Sequence, residues 1–401
     1  MFRPVPTRLT RYVLWEIFKI FFVSLVALTT LILFIGVGRE LIRKGLGVLA
    51  VVQLLPFVLP ISLQFAFPAT ALFSVCSVYG RMSADGEIAT IKSSGISPIK
   101  ILQPAIAFAL LLSPLAVYVS DLAVSWGRPG VNRVVLMSIE DIAYRVLGTQ
   151  HSYTSDHGFS IHVRDVVGKR LIHPTVTLSE KGDGAAMKLT AAEGELTLDP
   201  NSKSLVLKVR DSQMIGGGRF ESIVPGEHEF PIPLGSMTED DLSARRPSEL
   251  PLGTMAGQIR HQKGQTRRLE GEIAAATGMA ILTSHGESIS GGDGPTRARS
   301  LKNSRKRLRR LQIEPWRRWA WGFSCLCFVM VGAPMAVIAK TGDHWTTFGL
   351  CFLPTLLVYY PLFIFGLEQA KDGNVPPYGV WIGNVVLTGV AGLLMAKVRR
   401  H

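Results

Sequence analysis

The chain has 401 residues, of which 47% are hydrophobic and 18% are charged, and its formal net charge is +13. The apolar residues are concentrated toward the two ends of the chain and the charged residues toward its middle. Long uninterrupted apolar runs at both ends exclude an ordinary soluble globular protein, in which apolar and polar residues alternate within each element.

Six apolar runs are long enough to cross a membrane, since about 20 residues at a rise of 1.5 Å each span the hydrocarbon core. They cover residues 15–37, 51–79, 101–124, 319–339, 345–367 and 378–396. Prolines lie inside the second and fifth runs; because neighbouring helices can satisfy the freed carbonyl groups, we expect kinks and not breaks. The first run is too long for a secretion signal and no cleavage site precedes Arg39, so we expect it to remain as an anchor.

The distribution of basic residues predicts how the spans are oriented. Six spans place both termini on one side of the membrane, and the short segments on that side are basic, as the positive-inside rule expects of the cytoplasmic face. These basic residues are Arg3, Arg8, Arg11, Arg81, Lys92, Lys100, Lys340, Lys397, Arg399 and Arg400. Arg39, Arg43 and Lys44 fall on the other side and oppose the rule.

A short polar segment, residues 79–97, separates the second and third apolar runs. It contains Asp85 and Glu87, and Ile88, Ile91 and Ile96 can share one face of a helix. This spacing suits a helix that lies along the membrane surface and presses an apolar stripe into a partner's groove. The alternative is a solvated turn between two spanning helices.

The middle region, residues 127–240, has a period of two. Phe159, Ile161 and Val163 alternate with polar residues, and the alternation recurs at 205–209 and 230–234. Turn-forming residues at 199–202 precede the second of these strands. The pattern predicts an antiparallel sheet with one buried face, in a small sandwich, roll or barrel on the non-cytoplasmic side.

Residues 241–315 are expected to form a basic, partly helical linker. A helix start is indicated at 247–250, a flexible Gly/Ser stretch at 288–294, and a dense basic run extends from Lys302 to Arg310. Such a run suits anionic lipid headgroups; nucleic acid and a solvated helix face are the alternatives, and no nucleic-acid motif accompanies it. The predicted domains are an N-terminal membrane half (1–126), the β domain (127–240), this linker, and a C-terminal membrane half (316–401).

Patterns that indicate catalysis or metal binding are missing from the sequence. No Gly-x-x-x-x-Gly-Lys-Ser/Thr loop is present to cradle nucleotide phosphates, and neither the histidines nor the four cysteines have metal-ligand spacing. No charged residue lies in the middle of a span except Glu16 and Lys19, near the start of the first run, which is too few for an ion-coupled transporter or an intramembrane protease. We therefore expect no catalytic site, cofactor or metal.

Several motifs resemble the LptF/LptG family of lipopolysaccharide export permeases. The Arg-Tyr pair at 11–12 with Glu16, the segment 79–97, and the run from Arg317 to Met335 each resemble a family motif, and Ala192-Glu193-Gly194 is a looser match. The resemblance covers about 8–235 and 315–396 and fails across about 255–312. It implies an integral protein of the inner membrane with six transmembrane helices, three before and three after an inserted periplasmic β-jellyroll-like domain.

The resemblance also implies partners and a coupling site. Family members pair as LptF with LptG on a dimer of the LptB ATPase, and periplasmic LptC/LptA-like jellyroll proteins receive the lipid. Residues 80–97 correspond to the coupling helix, in which Glu87 would contact the ATPase with Asp85 and Arg81 beside it. Asp85 could equally be only a helix cap. Whether the chain is the LptF-like or the LptG-like member, or pairs with itself, stays open.

A lipid site is implied at the outer end of the first helix. Arg43 and Lys44 match a basic pair that attracts the phosphates of the lipid A head, with Arg39 as a further candidate. The alternative is a plain interfacial anchor. The first and fifth helices resemble the family's lateral gate, and a groove of the jellyroll would shield acyl chains.

These implications give one expected function and one alternative. The first is a transmembrane permease subunit of an ABC-type lipopolysaccharide exporter, which extracts the lipid from the inner membrane and passes it to a periplasmic β-jellyroll bridge while a separate ATPase supplies the energy. Its contacts would include membrane lipids but not nucleic acid. The alternative is a membrane-anchored structural or assembly factor whose β domain tethers envelope partners without transporting lipid.

Overall fold

The computed structural model of the chain describes residues 7–44, 48–137, 143–144, 147–148, 151–154, 159–168, 170–178, 187–199, 204–216, 220–232, 246–282, 294–339 and 343–400. Its first helices are α1 (Thr7–Lys44), α2 (Val48–Ala84), α3 (Glu87–Ser93), α4 (Pro98–Leu122) and α5 (Arg128–Met137). A π-helical turn, Ala123–Gly127, joins the last two.

The strands follow, and four further long helices complete the chain. The strands are β1 (Ser152–Thr154), β2 (Phe159–His162), β3 (Asp165–Val167), β4 (Arg170–Ile172), β5 (Thr175–Leu178), β6 (Met187–Asp199), β7 (Ser204–Gly216) and β8 (Phe220–Ile232). The helices are α6 (Leu252–Leu282), α7 (Gly294–Ala339), α8 (His344–Asp372) and α9 (Ile382–Arg400), with short 3₁₀ turns at Pro247–Glu249 and Pro377–Trp381.

Six helical segments of the described residues are long and apolar enough to cross a membrane. They are Arg8–Gly38, Val51–Ala84, Ile99–Val134, Gly294–Ala339, Trp345–Asp372 and Pro377–Arg399. Each contains one predicted apolar run, so the prediction of six helices long and apolar enough to span a membrane is confirmed. The helices α2 and α8 continue through their prolines without a break, as expected.

Contacts divide the chain into two units. The first comprises Met1–Leu33, Leu59–Gly127 and Arg246–His401, and the second comprises Phe34–Val58 and Arg128–Arg245. The first unit is built around α7, which contacts α4, α6, α8 and α9. Small residues allow this close packing: a Cβ added at Gly322 would lie 2.3 Å from Cγ2 of Val117, and one at Gly332 would lie 2.2 Å from Cδ1 of Leu72.

The region expected to be a partly helical linker contains two long helices that form an antiparallel hairpin. Leu250 contacts Arg318 while Gln262 contacts Ser304, so the chain reverses direction between α6 and α7. The helix α7 continues through Pro315 and crosses the predicted domain boundary at 315/316. The basic run is therefore part of the same helix as the fourth span. The Gly/Ser stretch from 288 to 293 lies outside the described residues.

In the part of the chain that the structure describes, the second unit contains an eight-stranded antiparallel sheet, which confirms the prediction of antiparallel strands. Along one path the strand order is β1-β2-β5-β6-β4-β3; β7 pairs with the other edge of β6, and β8 with β7. In β7, Leu207 and Val209 are buried while Lys208 and Arg210 are exposed, as the period of two predicts. The jellyroll-like character of this domain stays a prediction. In the same unit, α2 and α5 meet through Leu54 and Val134.

Candidate functional site

The polar segment between the second and third spans folds as a turn followed by the short helix α3. Gly86 adopts φ 75°, a left-handed conformation that suits glycine, and Glu87 occupies the first turn of the helix. Asp85 lies exposed in the turn, and Glu87 is partly exposed. Both carboxylates are therefore accessible at the N-terminal end of α3.

The apolar face of α3 packs largely against the protein's own bundle. Ile88 is 6% exposed and belongs to the core of the first unit, and Ile91 and Ile96 are partly buried against that core. The expectation that this stripe enters a partner's groove is therefore wrong for Ile88, because its burial within the bundle already removes it from water. The polar and charged residues of α3 remain available for a contact.

The segment is firmly attached to the surrounding helices. The Tyr79 hydroxyl donates a hydrogen bond of 2.7 Å to the carbonyl oxygen of Ile101 in α4, and the Ser83 hydroxyl donates one of 2.8 Å to the carbonyl oxygen of Val337 in α7. A Cβ added at Gly80 would lie 2.8 Å from Cγ2 of Thr347 in α8. A displacement of this segment would consequently move three other helices.

Arg81 makes a contact within the bundle that was not predicted, and its contact with an ATPase stays a prediction. Its guanidinium donates a hydrogen bond of 3.1 Å to the carboxylate of Glu16 in α1, and Lys19 lies 2.8 Å from the same carboxylate. Glu16 and Lys19 are recognisable in the sequence as charges within an apolar run, but their pairing with Arg81, 65 residues after Glu16, is not. This ion pair joins the end of α2, next to α3, to the first spanning helix.

An apolar groove of about 760 Å³ lies beside this ion pair, between α1, α2 and α8. Glu16 and Lys19 are among its lining residues, and most of the others are apolar. The remaining lining residues are Ile20, Val23, Ser24, Ala27, Leu28, Leu31, Ala69, Thr70, Phe73, Trp345, Phe348 and Phe352. The groove therefore offers a lipid-like surface bounded by the first and fifth spanning helices, with charge among its lining groups.

The three basic residues predicted to bind lipid phosphate lie together in sequence at the end of α1. Arg39, Arg43 and Lys44 belong to the last two turns of that helix. At a rise of 1.5 Å per residue they span about 8 Å along the helix axis. Their side chains lie outside the described residues, so their role as phosphate ligands stays a prediction.

Sequence reasoning missed a buried ionic cluster between α4, α7 and the segment before α6. Arg318 is 1% exposed and donates hydrogen bonds of 2.8 Å to Oδ1 of Asp121 and 2.7 Å to the carbonyl oxygen of Leu250. Glu314 lies 3.5 Å from Arg318 and pairs also with Arg317. The i, i+3, i+4 spacing of the Glu and the two Arg residues was the available signal.

Tyr144 caps part of the sheet edge in the second unit. Its hydroxyl donates to the carbonyl oxygen of Leu196 at 3.1 Å and accepts from the backbone N–H of the same residue at 2.8 Å. The described pairing of β4 with β6 ends at Gly194, so Tyr144 satisfies backbone groups that a further strand would otherwise occupy.

Comparison with known proteins gives one family. The sequence profile of the family described as "Lipopolysaccharide export system permease LptF/LptG" matches residues 11–397. This match covers the six spans, the sheet and the α6–α7 hairpin. No curated protein sequence matches the chain.

Proposed function

Because the chain belongs to the LptF/LptG family of lipopolysaccharide export permeases, we propose that it is the transmembrane subunit of an ABC-type exporter. In this proposal it extracts lipopolysaccharide from the inner membrane and passes it to a periplasmic β-jellyroll bridge. Both termini lie in the cytoplasm and the sheet lies in the periplasm. A second LptF/LptG-type permease completes the conduit, LptC/LptA-like proteins continue it, and an LptB-like ATPase dimer supplies the energy.

The observation that carries this proposal is the construction of the segment from Tyr79 to Ser93. Its apolar residues are buried in the bundle, whereas Asp85 and Glu87 are accessible. Hydrogen bonds from Tyr79 and Ser83 fix it to α4 and α7. An element that presents charge outward and is anchored inward can transmit a partner's movement to the membrane helices.

The groove between α1, α2 and α8 supports the choice of a lipid as the transported molecule. Transfer of an acyl chain to water is unfavourable by about 0.8 kcal/mol per CH₂, so a lipid with several chains needs an apolar path and external energy. A groove of about 760 Å³ lined mainly by apolar side chains supplies such a surface. The Glu16–Arg81 ion pair connects α1, which forms one wall of the groove, with the segment from Tyr79 to Ser93.

The test of coupling is co-purification of the ATPase with the full-length chain. In the proposal, Glu87 pairs with a basic groove on the ATPase. We expect Glu87→Arg to abolish co-purification, because the new arginine would place a positive charge against that basic groove. Glu272→Arg is the matched control, since Glu272 is an exposed helical glutamate on α6 and should leave the ATPase bound. Unchanged association of the Glu87→Arg variant would support the structural or assembly factor instead.

The lipid site at the end of α1 is tested separately. The combined change Arg43→Glu and Lys44→Glu should weaken photocrosslinking of lipopolysaccharide within the membrane part of the protein, because phosphate would meet like charge. Lys397→Glu with Arg399→Glu, two exposed residues near the C-terminus, serves as the control for charge alone. Normal crosslinking in the first variant would remove Arg43 and Lys44 from the site.

A further inference from the structure

The α6–α7 hairpin carries most of the net charge of the protein. Residues 252–282 and 294–314 contain twelve Lys and Arg residues and three Glu residues, which gives the hairpin a net charge of +9 in a chain of net charge +13. Glu270 pairs with Arg305 and Glu314 pairs with Arg317. Two of the three glutamates are thus engaged in ion pairs, and the basic residues of the hairpin outnumber its acidic residues fourfold.

The packing of the two helices determines which basic residues face outward. Met255, Gln262 and Thr266 of α6 are buried, as are Ser304 and Leu311 of α7, at spacings of four and seven residues. This is the seam of an antiparallel coiled coil. Side chains on the opposite side of α7 must therefore point away from α6.

Four cations occupy that outward side of α7. They are Arg299, Lys302, Lys306 and Arg310, separated by three, four and four residues, and all four are exposed. We call this set the basic stripe. Among the described residues none of the four forms an ion pair. The stripe extends over about 16 Å, because each residue adds 1.5 Å to the helix.

The basic stripe extends away from the membrane surface. Trp316 is exposed and its ring packs edge to face on Tyr378, an arrangement typical of the aromatic belt at a membrane interface. Counted along the continuous helix α7, Arg310 lies about 9 Å and Arg299 about 26 Å beyond Trp316. Charges are screened over about 8 Å at physiological ionic strength. Lipid headgroups of the same membrane therefore cannot hold the upper part of the stripe.

We propose that the basic stripe binds the phosphorylated saccharide headgroup of the exported glycolipid as it leaves the membrane. This inference rests on the proposed function, which supplies a phosphate-bearing cargo on this side of the membrane. A row of cations that begins near the interface and continues outward fits an anionic molecule that moves along the same direction. Arg and Lys both bind phosphate through charge-assisted hydrogen bonds.

The contact between Arg309 and the C-terminal end of α8 orients the hairpin for this role. The Arg309 guanidinium donates a hydrogen bond of 2.5 Å to the carbonyl oxygen of Asp372. This bond joins α7 to the last residue of α8. It holds the base of the hairpin beside the end of α8, whose other end lines the apolar groove.

The test measures binding to the full-length protein in nanodiscs of zwitterionic phosphatidylcholine, so that the host bilayer adds no net charge. The probe is the water-soluble phosphorylated oligosaccharide obtained by removing all acyl chains from lipopolysaccharide. In the stripe variant, Arg299, Lys302, Lys306 and Arg310 are each changed to Gln. We expect its affinity to fall at least about tenfold, and binding by the unchanged protein to weaken steeply with salt.

Matched variants separate the stripe from general charge effects. Changing Arg8, Arg11, Lys397 and Arg399 to Gln removes the same charge from exposed positions near the chain ends and should leave binding unchanged. The single change Lys306→Gln should weaken binding by about twofold to threefold with the helical circular dichroism signal intact.

Three results would overturn the inference. They are equal affinity in the stripe variant, equal binding of an enzymatically dephosphorylated probe, and displacement of the probe by an equally charged DNA oligonucleotide at the same concentration. Failure of the proposed function has a different signature. Retention of the ATPase by the Glu87→Arg variant would reject the exporter, whereas binding of the phosphorylated probe to the stripe would be unaffected by that outcome.

Discussion

The buried ionic cluster at Arg318 allows a quantitative test of the first unit. Arg318 neutralises Asp121 and also satisfies the carbonyl oxygen of Leu250, and the chain around it leaves it 1% exposed. We predict that Arg318→Met destabilises the protein by about 3 kcal/mol. Removal of one partner from a buried ion pair costs about 3–5 kcal/mol, and the lower end applies because Arg317 still pairs with Glu314 and the Asp121 side chain is 28% exposed.

A second substitution separates charge from packing in the same site. Asp121→Asn removes the uncompensated charge, and its amide oxygen can still accept the hydrogen bond that the backbone N–H of Leu252 now donates at 2.8 Å. We expect the double variant Arg318→Met, Asp121→Asn to be more stable than Arg318→Met alone by about 1–2 kcal/mol. An ordinary packing defect would not be relieved in this way.

Unfolding in detergent, followed by far-ultraviolet circular dichroism during denaturant titration, gives the free energies. Arg310→Met is the control, since Arg310 is exposed on the same helix and its loss should change stability by less than about 0.5 kcal/mol. The reasoning would be refuted if Arg318→Met were no more harmful than Arg310→Met. A double variant whose loss equals the sum of its two single losses would also contradict it.

Three further changes test other parts of the fold. Gly264→Ala should raise stability by about 1 kcal/mol, measured as a higher unfolding midpoint, because the position is inside α6 and an added Cβ meets open space; a lower midpoint would mean that this face is packed. Tyr144→Phe should cost about 1–3 kcal/mol and accelerate hydrogen exchange at the Leu196 amide, which loses its hydroxyl acceptor. Gly322→Leu should reduce the yield of monodisperse protein by size-exclusion chromatography, because its Cβ would approach Val117 to 2.3 Å, and a normal yield would argue against the observed packing of α4 on α7.

The spans and strands were predictable because their signals are local. Twenty apolar residues identify a spanning helix without knowledge of its neighbours, and a period of two identifies a strand with one buried face. The pairing of β6 with β7 was also indicated by the turn at 199–202. By contrast, burial of Ile88 within the protein's own core was not predictable, since an apolar face gives no information about whether its partner lies in the same chain.

The α6–α7 hairpin was not predicted because its seam is partly polar. Gln262, Thr266 and Ser304 occupy buried positions that a search for apolar periodicity discounts, although they hydrogen-bond to one another at 2.9 Å. The signal was present in the heptad spacing of Met255, Gln262 and Leu269. A polar layer of this kind contributes less stability than leucine but fixes the register of the two helices.

The helix α7 gives the first unit a direct mechanical connection between its two ends. With 46 residues it is about 69 Å long, and Ser83, close to the N-terminus of α3, is hydrogen-bonded to Val337 near the C-terminal end of α7. The basic stripe lies near its other end. A tilt of about 5° in a rigid rod of this length displaces its far end sideways by about 6 Å. A small movement at Ser83 would therefore shift the basic stripe sideways by several ångströms, provided that the buried cluster at Arg318 keeps α7 and α4 together.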